Sequence, residues 1–146
     1  MISPNTNDVL NRLLVIHNRS LPMYLSETSP WTHRGDEQAA KTLQHIVADQ
    51  KTMIDRIAQM ILQTEGGVDM GEYPMDFTDT HDLSLYFLLG KLVASQQRDV
   101  EAIGRCPGQL NDAPLSKALA QEALGMAKGH LESLQELVGK TSKVAG

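Results

Sequence analysis

Apolar residues recur along the chain with the three-, four- and seven-residue spacing of helix faces, and they predict four helices. In the first, over about residues 6–25, Val9, Leu10, Leu13, Leu14, His17, Leu21 and Tyr24 share one face. Pro22 lies in its last turn, where a proline kinks or ends a helix. In the second, over about 36–65, the stripe is Leu43, Ile46, Val47, Gln50, Met53, Ile54, Ile57, Met60 and Ile61. Asp36 is its cap, and Gly66-Gly67 is its stop, through the left-handed backbone that glycine tolerates. The third, over about 80–104, is apolar on two sides. Leu83, Tyr86, Phe87, Gly90, Val93, Ala94 and Gln97 lie on one side, expected to face the core. Leu85, Leu88, Leu89 and Leu92 lie on the other, expected to meet a second copy of the chain in a homodimer. The fourth, over about 112–138, starts beside Pro114 and turns Leu119, Ala120, Ala123, Met126, Ala127, His130, Leu134 and Leu137 inward. Gly125 and Gly129 on its flank fit either a close backbone approach or two weak helix positions with no structural purpose. A frayed tail is expected over 140–146.

Composition narrows the function classes. With 146 residues, 41% of them hydrophobic, a single all-α domain over 1–146 is expected. The net charge of −5 lacks the basic footprint of a nucleic-acid binder. The one cysteine, Cys106, excludes an intramolecular disulfide and has no neighbouring group to activate it. No leader or membrane-spanning run is visible, so a cytoplasmic location is the default expectation. The 68–80 connection carries Asp69, Glu72, Asp76 and Asp79 without the ligand spacing of a calcium loop, so it reads as a solvated acidic loop.

Candidate chemistry comes from polar residues on apolar stripes. His17, Gln50, Tyr86 and His130 put one polar group inward from each helix, and none is a carboxylate. An unpaired buried polar group costs on the order of a few kcal/mol, so these side chains are expected to satisfy one another or to meet a ligand. Bundle cores are where cofactor sites are built.

The residues that carry a family resemblance are Leu10-Asn11-Arg12-Leu13-Leu14, His17 and Tyr24 in the first helix, and Asp55-Arg56 and Glu65-Gly66 in the second. Asp82-Leu83-Ser84-Leu85-Tyr86 in the third and Ala127-Lys128-Gly129-His130-Leu131 in the fourth complete the set. Over roughly residues 8–138 the chain resembles the ferritin-like superfamily, bacterioferritins most closely. The long connection between the second and third helices is similar to the crossover of that fold, which lets those two helices run parallel. The resemblance implies a di-iron site whose carboxylates fall at His17, Gln50, Tyr86 and Ala127 and whose histidines fall at Met53 and His130. Only His130 keeps the family residue. Without carboxylates a di-iron centre has nothing to bridge it or balance its charge. Asp49, one position from Gln50, points away from the core centre and does not restore one. The haem methionine of the family falls at Lys51.

The expected function is therefore a non-catalytic binding or interaction protein, dimeric through Leu85, Leu88, Leu89 and Leu92. No cofactor is expected. The alternative is a single copper, zinc or iron ion on His17 and His130, with Gln50, Met53 and Tyr86 lining the vestigial site. A third reading is a ligand pocket beside Gly90, Ala94, Ala123 and Ala127. Nucleophilic catalysis has no support, because no inward Ser or Cys has a His beside it.

Overall fold

A computed structural model describes residues 4–28, 37–64, 66–68, 71–80 and 84–145, apart from the side chains of 4, 28, 76, 79, 80, 86 and 140–145. Among the described residues it is all-helical: α1 Pro4–Asn18, α2 Leu21–Thr28, α3 Glu37–Gln63, α4 Leu85–Gly104 and α5 Pro114–Ala145, with 3₁₀ turns at Met75–Thr80 and Pro107–Gln109. None of these helices is long and apolar enough to cross a membrane.

The expected first helix is two. A proline ring clashes with the carbonyl four residues before it, which for Pro22 is that of Asn18, the last residue of α1. The chain restarts at once. Ser20 Oγ accepts from the Met23 amide at 3.3 Å and caps α2, where Pro22 falls harmlessly in the first turn.

The end of α3 differs from expectation in its cause. Gly71 is the residue with a positive φ, at 70°; Gly66 is not left-handed. A Cβ at Gly66 would meet the Asn7 side chain, which would have to shift to admit it. The Gly66 amide donates to Ile61 O at 3.0 Å, and Asn11 Nδ2 donates to Gly67 O at 2.7 Å, so this end of α3 is tied to α1. The Asp36 cap lies outside the described residues.

α4 starts at Leu85, where Ser84 Oγ accepts from the Phe87 amide at 3.4 Å; the expected first turn near Thr80 is instead the 3₁₀ turn. α5 runs through Gly139 to Ala145, past the expected end at 138. Added methyl groups at Gly125 and Gly129 would meet nothing within 4 Å, so neither marks a close approach within the chain.

The rotation of α4 is a correction with consequences. Leu85, Leu88, Leu89 and Leu92 are buried in the chain's own core with Leu21, Leu25, Leu43, Ile46 and Leu134, so the face expected to meet a second copy is internal. Phe87 is 69% exposed, and Gly90, Ala94 and Gln97 are exposed with it. Burying a leucine contributes roughly 2 kcal/mol, so four leucines outweigh one phenylalanine in setting the rotation. Leu83 lies outside the described residues.

The apolar core forms two clusters. One holds Val9, Leu10, Leu13 and Leu14 of α1, Met53, Ile57 and Ile61 of α3, Ile103 of α4 and Ala120, Ala123 and Ala127 of α5. The other holds residues of α2, the start of α3, the leucines of α4, and Leu134 and Leu137 of α5. Between them in sequence, on every long helix, stand buried polar residues: His17, Asn18 and Ser20, then Gln50, then Ser95 and Gln96, then His130. α3 and α4 both pass from the second cluster to the first, whereas α5 passes from the first to the second. α4 packs most extensively against α5, and α1 against α3. On the outside, Arg56 grips both carboxylate oxygens of Glu122 at 2.7 Å and joins α3 to α5.

Candidate functional site

The polar layer is built from the last turn of α1 and the middles of α3, α4 and α5. His17 is 2% exposed, and its Nδ1 lies 2.8 Å from the Leu13 carbonyl. A carbonyl only accepts, so Nδ1 carries the proton and Nε2 keeps a lone pair. That Nε2 is buried and has no hydrogen-bond partner among the described residues. Burial holds the His17 pKa below its ordinary value; the Leu13 bond opposes this, and nearby His130 adds to it.

His130 repeats the arrangement from the opposite helix. Its Nε2 donates to Asp49 Oδ2 at 2.8 Å, because a carboxylate only accepts. In the neutral ring Nδ1 then holds the lone pair, and it too is buried without a partner among the described residues. Asp49 reaches this bond from the outer face of α3 with its side chain 55% exposed. It points away from the core centre, as expected, yet it orients the histidine.

Gln50 and Met53 are buried in the layer one turn apart on α3. Gln50 Oε1 accepts from Ser20 Oγ at 2.8 Å. The Tyr86 side chain lies outside the described residues. Gln96, not Gln97, is the inward amide of α4. Its Nε2 donates to the Ala127 carbonyl at 3.1 Å, which leaves Oε1 buried and unpartnered. The expected His–Gln–Tyr–His ring of mutual bonds is therefore not what the described residues form. His17, Gln50 and His130 each bond to a group that the stripes did not single out: a backbone carbonyl, a serine and an outer carboxylate.

Three buried acceptor atoms result: His17 Nε2, His130 Nδ1 and Gln96 Oε1. Each sits on a side chain whose other polar atom is anchored, so the lone pairs are held in fixed directions. A lone pair calls for a cation or a donor proton. A di-iron centre does not fit this layer. Of the positions that the family resemblance assigns to carboxylates, His17, Gln50 and Ala127 are neutral and Tyr86 is no acid. Among the described residues no three His, Cys, Asp or Glu gather as a metal cluster. Cys106 is fully buried in the first apolar cluster, and burial pushes its thiol pKa up, so it is no nucleophile.

Gln96 follows from the sequence once the α4 leucines are turned inward, whereas Asp49 lies on the exposed face of α3 and carries no sequence signal that joins it to His130. Comparison with protein-family models, curated proteins and solved structures finds no match to this chain.

Proposed function

We propose that this chain is a non-catalytic metal-binding protein that holds one copper(I) ion on His17 Nε2 and His130 Nδ1, with the Met53 thioether as third donor. The observation that carries the reading is the pair of buried imidazole nitrogens with no partner among the described residues, each on a ring anchored through its other nitrogen. Metal-bound histidines use that second hydrogen bond, to a carbonyl or a carboxylate, to fix ring orientation and tautomer. The donor set selects the ion. Imidazole and thioether are neutral, and thioether is soft, which suits copper(I). A divalent ion would carry twice the charge into a layer whose nearest described carboxylate, Asp49, already bonds to His130.

The same reading takes the fold as a ferritin-like four-helix bundle in which α1 and α2 together make the first helix and residues 64–84 make the long crossover. The shared passage of α3 and α4 from the second apolar cluster to the first supports it, since consecutive helices that run the same way need a long connection. The neutral layer leaves such a bundle without ferroxidase chemistry.

The test is anaerobic titration of the purified protein with copper(I) against a competing chelator. One ion per chain is expected, with about a hundredfold weaker binding in the double variant His17→Ala, His130→Ala and about tenfold weaker binding in Asp49→Asn. Circular dichroism checks that each variant is folded, and the single His130→Gln variant serves if the double one is not. Copper binding that is absent, or equal in the wild type and the histidine variants, overturns the reading.

A further inference from the structure

A second site lies beside the polar layer, in a cavity of about 380 Å³ between α1, α4 and the turn before α4. Val15, Ile16, Pro74 and Phe77 supply apolar wall, and Ser95 and Asp99, one helical turn apart on α4, supply the polar side. The volume lies in the range of small-molecule sites.

Asp99 is the anomaly of this cavity. Its side chain is half-buried and has no hydrogen-bond or ion-pair partner among the described residues. The two cations that line the cavity are not paired with it. Arg19 donates from Nε to Gly71 O at 2.9 Å and lays its guanidinium over the Tyr73 ring, 4.7 Å from the centroid. Arg98 is exposed, and adjacent helix positions do not face each other. Glu72, the other acid of the lining, is exposed as well. Arg98 acts on Asp99 only through space, and its effect is smaller than that of burial, so an acid in a half-apolar cavity with no directly bonded counter-ion among the described residues matches a ligand that brings one.

We propose that this cavity binds a small organic monoamine, its ammonium paired with Asp99 and hydrogen-bonded to Ser95, its apolar body against Val15, Ile16 and Phe77. The two arginines at the lining disfavour ligands with several positive charges. The site does not depend on the copper reading, since none of its groups is a proposed copper ligand.

The probe is phenethylamine, which has one ammonium and a compact apolar body, with phenylacetate as the anion of matching shape. Binding is followed by isothermal titration calorimetry on the full chain at pH 8. Phenethylamine is expected to bind and phenylacetate not, with affinity about tenfold weaker in Asp99→Asn. Burial raises the Asp99 pKa to about 7, so amine binding is also expected to weaken as pH falls through that value. Arg19, Arg98 and Glu72 are the other charged groups at the lining, and loss of the pH dependence in Asp99→Asn assigns it to Asp99. The substitution is nearly isosteric, and circular dichroism checks its fold. Equal amine binding in wild type and Asp99→Asn overturns the proposal. So does tighter binding of phenylacetate, which would make the arginines the recognition element, and so does no binding of either probe.

Discussion

His17 in the polar layer and Asp99 in the neighbouring cavity are both withdrawn from water, and burial moves their pKa values in opposite directions. The histidine is pushed down and the acid is pushed up, to about 7. In each case burial disfavours the charged form. The difference lies in what surrounds the neutral form. His17 has its proton anchored on Leu13 O and only a lone pair left over. Asp99 has neither its proton nor its lone pairs engaged by a hydrogen bond from the described residues. The proposed metal site and the proposed ammonium site thus differ in which half of the titrating group the fold has already satisfied.

The rotation of α4 sends Gln96 to the layer and Ser95 and Asp99 to the cavity. The sharpest way to break the comparison is to test that rotation. Leu88→Ala removes a fully buried side chain and is expected to cost about 2–5 kcal/mol in chemical denaturation. Phe87→Ala, one residue away and 69% exposed, is expected to stay within about 0.5 kcal/mol. Similar costs for the two would mean that α4 is turned the other way.

This rotation is also where the sequence was least legible. The stripes of α1, α3 and α5 have one apolar side each, so His17, Gln50, Met53 and His130 could be read as inward, and all four are buried. α4 is apolar on two sides, and spacing alone cannot say which side faces its own chain. The leucines decide it through packing with α2, α3 and α5, which periodicity does not encode. The break at residues 19–20 was half visible in Pro22; the position of the break follows from the carbonyl four residues earlier. The partners of the histidines were hidden for a different reason. Leu13 O is backbone, and Asp49 lies on an exposed face that only three-dimensional proximity joins to α5. The Asp99 cavity brings together α1, α4 and a loop, and no local pattern marks it.

The next largest effect is expected at Asp99. Its folded pKa of about 7 stands above the ordinary 3.8, so between those values the folded chain holds a proton that the unfolded chain has released. Stability from this group is complete below about pH 3.8, falls as pH rises, and reaches its minimum above 7. Asp99→Asn removes the penalty. It is expected to stabilise the protein by roughly 1–3 kcal/mol at pH 8, after allowance for partial solvent screening, and by nothing near pH 3.5. No gain at pH 8 would show that Asp99 keeps its charge at little cost, and the contrast with His17 would collapse.

His17 is expected to give a slope of the opposite sign. Its folded pKa lies below the ordinary 6.5, so below that value the unfolded chain takes up a proton that the folded chain refuses. Stability from this group is complete above pH 6.5 and is lost as pH falls, by at most about 1.4 kcal/mol per pH unit. Because Asp99 acts in the other direction over part of the same range, the wild-type curve is a sum, and the two variants separate it. His17→Gln is expected to flatten the acid limb while Asp99→Asn steepens it, measured as denaturant midpoints between pH 4 and 8. An acid limb unchanged in His17→Gln would mean that the ring protonates freely in the folded state.

The smallest effect concerns Asp49, whose side chain is 55% exposed although it bonds to a buried ring. Asp49→Asn keeps an acceptor oxygen for His130 Nε2 but removes the negative charge, so the apoprotein is expected to lose no more than about 1 kcal/mol. Its informative consequence is geometric. An asparagine can turn its amide nitrogen toward the ring, accept nothing from Nε2, and let the ring proton move to Nδ1. The nitrogen that faces the layer would then be a donor instead of a lone pair. Nitrogen-15 shifts of the His130 ring distinguish the tautomers: the wild type is expected to show Nε2–H, and the variant a mixture. A wild-type ring protonated at Nδ1 would remove one of the two lone pairs on which the copper site rests, while leaving the Asp99 cavity as it is.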